Sequence, residues 1–249
     1  MKYSDLAWAA VGYYYRSGGD NKYVEIMSDS GFLNRLRDEP GAISAREFEE
    51  KAILGYIKIE NYDLLVKQKL AVKVIDTILN MRHLVDATHD LSILSADLSE
   101  TSPESAAPAV DKMYKALNSV SGLWSTGASK ILHLLNDRLF PIITPGIMHD
   151  VQFPNFSMSN YMRRIQYQAV TACEDFHQKK TVECELDAFL SEKLGYTKRG
   201  CRKSLIKFID EYYFLFTSGL PVPPVWTPAD EDEFGKKSVL SAEGGFINT

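Results

Sequence analysis

Apolar positions recur along this chain three and four residues apart, the spacing of helices that bury one face. Residues 6–15 are rich in alanine and aromatic side chains and run into Gly18-Gly19-Asp20, a stop followed by a turn. Ser44 and Glu47 have capping-box spacing, and Phe48, Ala52, Ile53, Tyr56 and Ile57 then share one face. Residues 64–84 continue with Leu70, Val74, Ile75, Ile78 and Leu79, although the β-branched cluster around Val72 leaves the early part open to another reading. Val110, Met113, Tyr114, Leu117 and Val120 form a further stripe, and residues 128–135 another apolar helix. Tyr161, Ile165, Ala169, Cys173 and Phe176 lie opposite Arg163 and Arg164, and Leu186, Phe189, Leu190 and Leu194 make a shorter stripe. A last helix over 198–216 is expected to bury Leu205, Phe208, Ile209, Tyr212 and Phe216 while its first two turns carry basic residues. No alternating run competes as a strand pair, so the predicted class is all-α.

The breaks in this pattern divide the chain. Residues 95–108, with their Ser, Glu, Thr and Pro content, read as a loop between an N-terminal helical lobe (1–95) and a second lobe (105–217). Prolines at 221, 223, 224 and 228, followed by Asp230-Glu-Asp-Glu233, predict an extended acidic tail over 218–249, with Trp226 a candidate pin to the surface.

At 249 residues the chain can bury a core without staples, and 45% hydrophobic with 24% charged residues is the composition of an ordinary globular protein. No apolar run approaches the roughly 18 residues of a spanning helix, and the start of the chain does not read as a signal peptide. A cytoplasmic location, with no membrane partner, is expected. Cys173, Cys184 and Cys201 are odd in number and lack CxxC spacing, which suits a reducing compartment and disfavours a disulfide framework or a cysteine zinc site. His83 and His89 match no helical ligand spacing, so no metal is expected, and no P-loop, Rossmann, GxSxG or HExxH motif calls for a cofactor.

The net charge of −5 is unevenly spread. Residues 151–209 carry ten Lys/Arg against six acids, and within them residues 193–207 hold Lys193, Lys198, Arg199, Arg202, Lys203 and Lys207 with no acid at all. Such a run is either a solvated helix face or a contact for an anionic partner such as DNA. Tyr13-Tyr14-Tyr15 with Arg16, and Tyr212-Tyr213, are similarly ambiguous between packed core and stacking surface.

The most specific segment is Ser121-Gly-Leu-Trp-Ser-Thr-Gly-Ala-Ser-Lys-Ile-Leu, followed by Phe140-Pro-Ile-Ile-Thr144. A glycine turn opening a helix presents backbone N–H groups to a phosphate. Over about residues 110–216 the chain resembles a divergent bacterial branch of the helix-hairpin-helix DNA glycosylase superfamily. That resemblance implies a hairpin contacting DNA through Gly122, Ser125, Thr126, Gly127, Ser129 and Lys130, joined by Lys198, Arg199, Arg202 and Lys203 from the basic run. It also locates the departures. Trp124 stands at the second hairpin glycine, Thr126 at the Schiff-base lysine of the lyase members, and Thr144 at the aspartate that stabilises the developing sugar cation or activates the nucleophile. A threonine hydroxyl carries no negative charge at neutral pH and can do neither job.

Substitute catalysts lie one turn on, where Pro145 can begin a helix and Asp150 could enter the cleft with His149 as a base; both also read as surface residues at an element start. His133, between Leu132 and Leu134, reads as exposed or locally hydrogen-bonded. Two function classes follow: a nucleic-acid-associated protein that binds DNA or excises bases atypically, and a non-catalytic helical binding or scaffold protein that engages a protein or small molecule.

Overall fold

The computed structural model describes residues 1–17, 20–57, 64–143, 157–181 and 183–217. Among them the chain is all-α, as its periodicity predicts. The helices are α1 (Tyr3–Ser17), α2 (Asn21–Met27), α3 (Ser30–Asp38), α4 (Ala45–Phe48), α5 (Leu64–Asn80), α6 (Arg82–Thr88), α7 (Ala107–Asn118), α8 (Trp124–Leu135), α9 (Met158–Lys179), α10 (Leu186–Lys193) and α11 (Leu205–Thr217). The C-terminal residues 218–249, including Trp226, lie outside the described residues.

Side-chain caps from Asp29, Ser44 and Ser157 set the starts of α3, α4 and α9. Ser44 Oγ accepts from Glu47 N at 3.1 Å, so the predicted cap opens α4. Glu47 does not close the box; its carboxylate pairs instead with Arg35 and Lys51. The chain then widens into a π-helix, Glu49–Ile57, and Phe48 of α4 with Ala52, Ile53, Tyr56 and Ile57 is still buried. Two boundaries differ from the sequence pattern. The helix expected over 64–84 breaks at Met81 (φ −105°, ψ 17°), and Leu79 just before the break is 43% exposed rather than part of the stripe. The last helix begins only at Leu205, after a short 3-10 turn (Thr197–Arg199) and a left-handed Gly200, so its basic residues sit mostly in an irregular connection.

Packing explains the rest. The stripe Val110, Met113, Tyr114, Leu117 on α7 is buried against neighbours that include α8 and α9. Tyr3, Phe176 and Phe189 meet edge-on or tilted and join α1, α9 and α10. The helix α11 lies along α1 and against α9 and α10, with Ile206, Phe208 and Ile209 almost wholly buried.

The connection between α6 and α7 is pinned rather than loose. Ile93, Ala96 and Leu98 are buried in the core, and Gln166 Nε2 donates to the carbonyls of Ile93 and Ala96. Asn136, which ends α8, directs its Nδ2 to the carbonyls of Thr88, His89 and Leu91 at 2.8–3.1 Å, satisfying the frayed end of α6. Because Asn136 is 8% exposed, water cannot readily replace it. Asn136→Ala is therefore expected to cost about 2 kcal/mol in urea denaturation, the penalty of orphaning buried acceptors; a loss under about 0.5 kcal/mol would show that those carbonyls find other donors.

Candidate functional site

The helices α7 and α8 are joined by five residues and pack on one another. Val120 N donates to Leu117 O and Leu123 N to Val120 O, so the reversal is built from successive tight turns. Gly122 takes φ 94°, a region open to glycine at no steric cost. Gly127 serves packing. A Cβ there would lie 2.8 Å from Leu123 Cδ1 and 3.5 Å from Ile57 Cγ2, so its absence lets α8 close on the buried Leu123 and the π-helix.

Between these glycines stands Trp124 with φ 52°, the left-handed conformation that a branched or bulky residue rarely accepts. Its side chain is 60% exposed. Beside it lies a groove of ≈ 510 Å³, bounded by Asp111, Tyr114, Lys115 and Asn118 of α7, Trp124 and Ser125 of α8, and Met158.

The other hairpin positions are committed inward. Ser125 bonds the Tyr114 phenol, and the Thr126 carbonyl accepts from Ser129 Oγ at 3.0 Å. Ser129 is fully buried and its Oγ also accepts from Ile143 N at 2.9 Å, so the hydroxyl expected at a phosphate instead staples the Phe140 strip to α8. Lys130 Nζ donates to Tyr56 O at 3.1 Å and sits over the Tyr56 ring. Thr144, His149 and Asp150 lie outside the described residues.

The basic run is taken apart by the fold. Lys198 is exposed on the 3-10 turn. Arg199 donates to Asn21 Oδ1 at 2.7 Å, beside α2. Arg202 forks onto Asp187, at 2.9 and 3.1 Å, and also reaches Glu185. Lys203, expected to face either solvent or an anionic partner such as DNA, is 0% exposed. Its ammonium lies 2.5 Å from Glu211 Oε1, 2.8 Å from the Tyr196 hydroxyl and 3.4 Å from Asp20 Oδ2. Lys207 joins the cluster 3.0 Å from Asp210 and 3.6 Å from both Asp20 and Glu211. The rings of Tyr13, Tyr23, Tyr196 and Phe208 enclose the two ammoniums. Burial pushes the Asp20 carboxyl up, yet Lys207 and Lys203 outweigh it and hold it below its usual value. Burial likewise depresses Lys207, and Asp210, Tyr13, Asp20 and Glu211 more than reverse that, leaving it well above the ordinary lysine value. Burial raises the Glu211 carboxyl.

His133, expected to be exposed or locally hydrogen-bonded, is fully buried and hydrogen-bonded. Its Nδ1 lies 2.7 Å from Phe140 O, which can only accept, so Nδ1 carries the proton and Nε2 accepts from the Tyr23 hydroxyl at 3.3 Å. Burial lowers its pKa and keeps the ring neutral. His133 thus bridges α2 to the strip at 139–143.

The aromatic runs divide similarly. Tyr13 packs edge-on to Phe214 and Tyr14 to Tyr196, while Tyr213 donates to Gln168 Oε1 at 2.5 Å. Among the described residues no group of three His, Cys, Asp or Glu side chains is placed to hold a metal ion, and no helix is long and apolar enough to cross a membrane.

No family model, curated protein or solved structure matches this chain. Its site must therefore be read from its own geometry. Chemically, that geometry separates into an interior of paired charges, in which Asp210 Oδ1 and Glu211 Oε2 are buried without a hydrogen-bond partner among the described residues, and an exposed aromatic at a strained turn beside an open groove.

Proposed function

We propose that this protein is a nucleic-acid-associated helical protein that binds through the α7–α8 turn without the usual base-excision chemistry. The observation that carries this reading is Trp124, exposed and held at φ 52°. Left-handed backbone at a non-glycine residue costs about 1–3 kcal/mol and persists where function needs it. An exposed aromatic at a helix-joining turn offers a flat face to a base. The sequence supports a binding rather than excising role, since Thr144 replaces the expected carboxylate.

A second reading, a helical binding or scaffold protein for a protein or small molecule, is favoured by the fate of the basic run. Arg202 is neutralised by two acids and Lys203 is buried, so little of that charge faces a phosphate backbone. Charge reversal at Lys203 would accordingly report on folding rather than on DNA contact.

The test is a mobility-shift series on single-stranded, duplex and abasic oligonucleotides at two salt concentrations, with Trp124→Gly alongside the wild type. Trp124→Gly is expected to keep or raise stability by up to about 1 kcal/mol, because glycine accepts this backbone freely. Its oligonucleotide affinity is expected to fall about tenfold, within the range set by loss of one stacked base. No shift with any oligonucleotide would leave the second reading in place. A less stable Trp124→Gly with unchanged affinity would make Trp124 a packing residue.

A further inference from the structure

We infer that a cleft where α9, α10 and the start of α11 meet the 92–94 connection binds a small monocarboxylic acid: its apolar body rests on Ile93, Leu186 and Leu205, and its carboxylate meets the Arg138 guanidinium. This cleft shares no residue with the groove beside Trp124, so it is independent of the α7–α8 turn.

The cleft encloses ≈ 270 Å³. That is just under the span of about 300–1,000 Å³ typical of small-ligand sites, which limits an occupant to a short chain or a single ring. Its floor is apolar, since Ile93, Leu186 and Leu205 are almost wholly buried. The acids on its α10 side are already committed: Asp187 receives the Arg202 fork through both oxygens, and Glu185 meets the same guanidinium. One guanidinium against two carboxylates leaves that wall with a surplus negative charge, which disfavours a doubly charged anion. The polar groups left open are mainly donors. Arg138 is exposed, and its guanidinium makes no hydrogen bond or ion pair among the described residues. Its main chain is fixed on both sides, because Arg138 O accepts from Ile93 N at 2.8 Å and Arg138 N donates to Asn136 Oδ1 at 3.1 Å. Ser204 is 3% exposed; its Oγ accepts from Lys207 N at 3.3 Å, and its hydroxyl proton has no acceptor among the described residues. Burial pushes the Cys173 thiol up to about 11, so it keeps its proton at neutral pH. His177, one turn beyond Cys173, packs edge-on against Phe176 and can donate or accept. The 13-residue helix α11 also opens on the cleft at Ser204 and Leu205, adding its positive end. A guanidinium fork above buried donors and an apolar floor matches a monoanion with two coplanar oxygens and a hydrocarbon body, which is a carboxylate. An organic cation would meet Arg138 and the helix terminus as like charge.

The experiment titrates the full chain calorimetrically at neutral pH with hexanoate, its neutral isostere hexanamide, and hexyl phosphate. Hexanoate is expected to bind about tenfold more tightly than hexanamide, since only the acid makes a charge-assisted pair with the guanidinium. Arg138→Gln is expected to weaken hexanoate about tenfold and leave hexanamide unchanged. Its thermal melt should match the wild type, because Arg138 is exposed and is held through its backbone. Hexyl phosphate is expected to bind more weakly than hexanoate. The location is read separately at Cys173. At about ten times its Kd, hexanoate should slow alkylation of Cys173 by iodoacetamide about tenfold, the inverse of the unoccupied fraction, while Cys184, outside the cleft, reacts as before. Equal binding of acid and amide, unchanged hexanoate affinity in Arg138→Gln, or unprotected Cys173 would each overturn the site. Tighter binding of hexyl phosphate would overturn the carboxylate assignment, and silence toward all three compounds would overturn both.

Discussion

Lys203→Met is expected to lose about 3–5 kcal/mol of stability in urea denaturation, the cost of removing one partner from a buried ion pair. The methionine matches the aliphatic stem of the lysine, so little packing is lost. What remains is the difficulty. Glu211 is 0% exposed and loses its 2.5 Å partner, and Lys207, at 3.6 Å from both Glu211 and Asp20, must then serve three carboxylates. The Tyr196 hydroxyl loses its donor as well. The double variant Lys203→Met/Glu211→Leu is expected to recover much of the loss, because a buried pair replaced by apolar residues is often neutral in stability while a broken pair is not. A single variant within about 1 kcal/mol of the wild type would show that water reaches the cluster and screens it.

That cluster also marks where the sequence stops being legible. Val110, Met113, Tyr114 and Leu117 announce their burial because a helix returns every third or fourth residue to one face, and the structure buries all four. Lys207 within α11 and Lys203 just before it both face inward, but composition assigns lysine to the surface. Their flanks, Leu205, Phe208 and Ile209, read as the buried stripe of a helix whose first turns carry basic residues on another face. Two of the groups that enclose them, Asp20 and Tyr13, lie more than 180 residues away in sequence, where no local pattern reaches. His133, read as exposed or locally hydrogen-bonded, and Ser129, a DNA contact by the resemblance, went the same way: polar residues in an apolar helix whose partners in the Phe140 strip are supplied only by the fold.

The candidate site was legible in place but not in role. The two glycines and the apolar strip located a reversal between helices, and a reversal is there. Gly127, however, makes room for Leu123, so the glycine that suggested a phosphate cradle has a packing reason. Trp124 departs from the resemblance because it stands where a hairpin glycine is expected, and a large side chain there hinders close approach of the backbone to a phosphate. Its left-handed φ could not be anticipated, since propensity alone places tryptophan there rarely. The capping pair at Ser44 and Glu47 shows a milder form of the same limit. The local half of the box forms, and Arg35 and Lys51 take the half that needed Glu47.

Phe140→Ala is expected to destabilise the protein by about 3–5 kcal/mol, the range for emptying a large aromatic site in a core that cannot collapse. Phe140 is 0% exposed and lies in a segment, 139–143, that belongs to no helix. Its backbone is held by side chains instead: His133 Nδ1 donates to Phe140 O, Tyr161 OH donates to Ile142 O at 3.3 Å, and Ile143 N donates to Ser129 Oγ. Three fixed points keep the strip from sliding into the space left by the ring, so the cavity persists and the loss should sit at the upper end of that range. The same fixation links stability to pH. His133 must stay neutral to accept from Tyr23, and its folded pKa lies below the unfolded value of about 6.5. Below that pH the unfolded chain binds the extra proton, so stability is full above about 6.5 and declines as pH falls toward the folded value. The stability gap between wild type and His133→Gln, which cannot take that proton, should therefore narrow on acidification through this window. A gap that stays constant from pH 7 to 5 would show that His133 is protonated in the fold, and would remove the Tyr23 contact from what holds the strip in place.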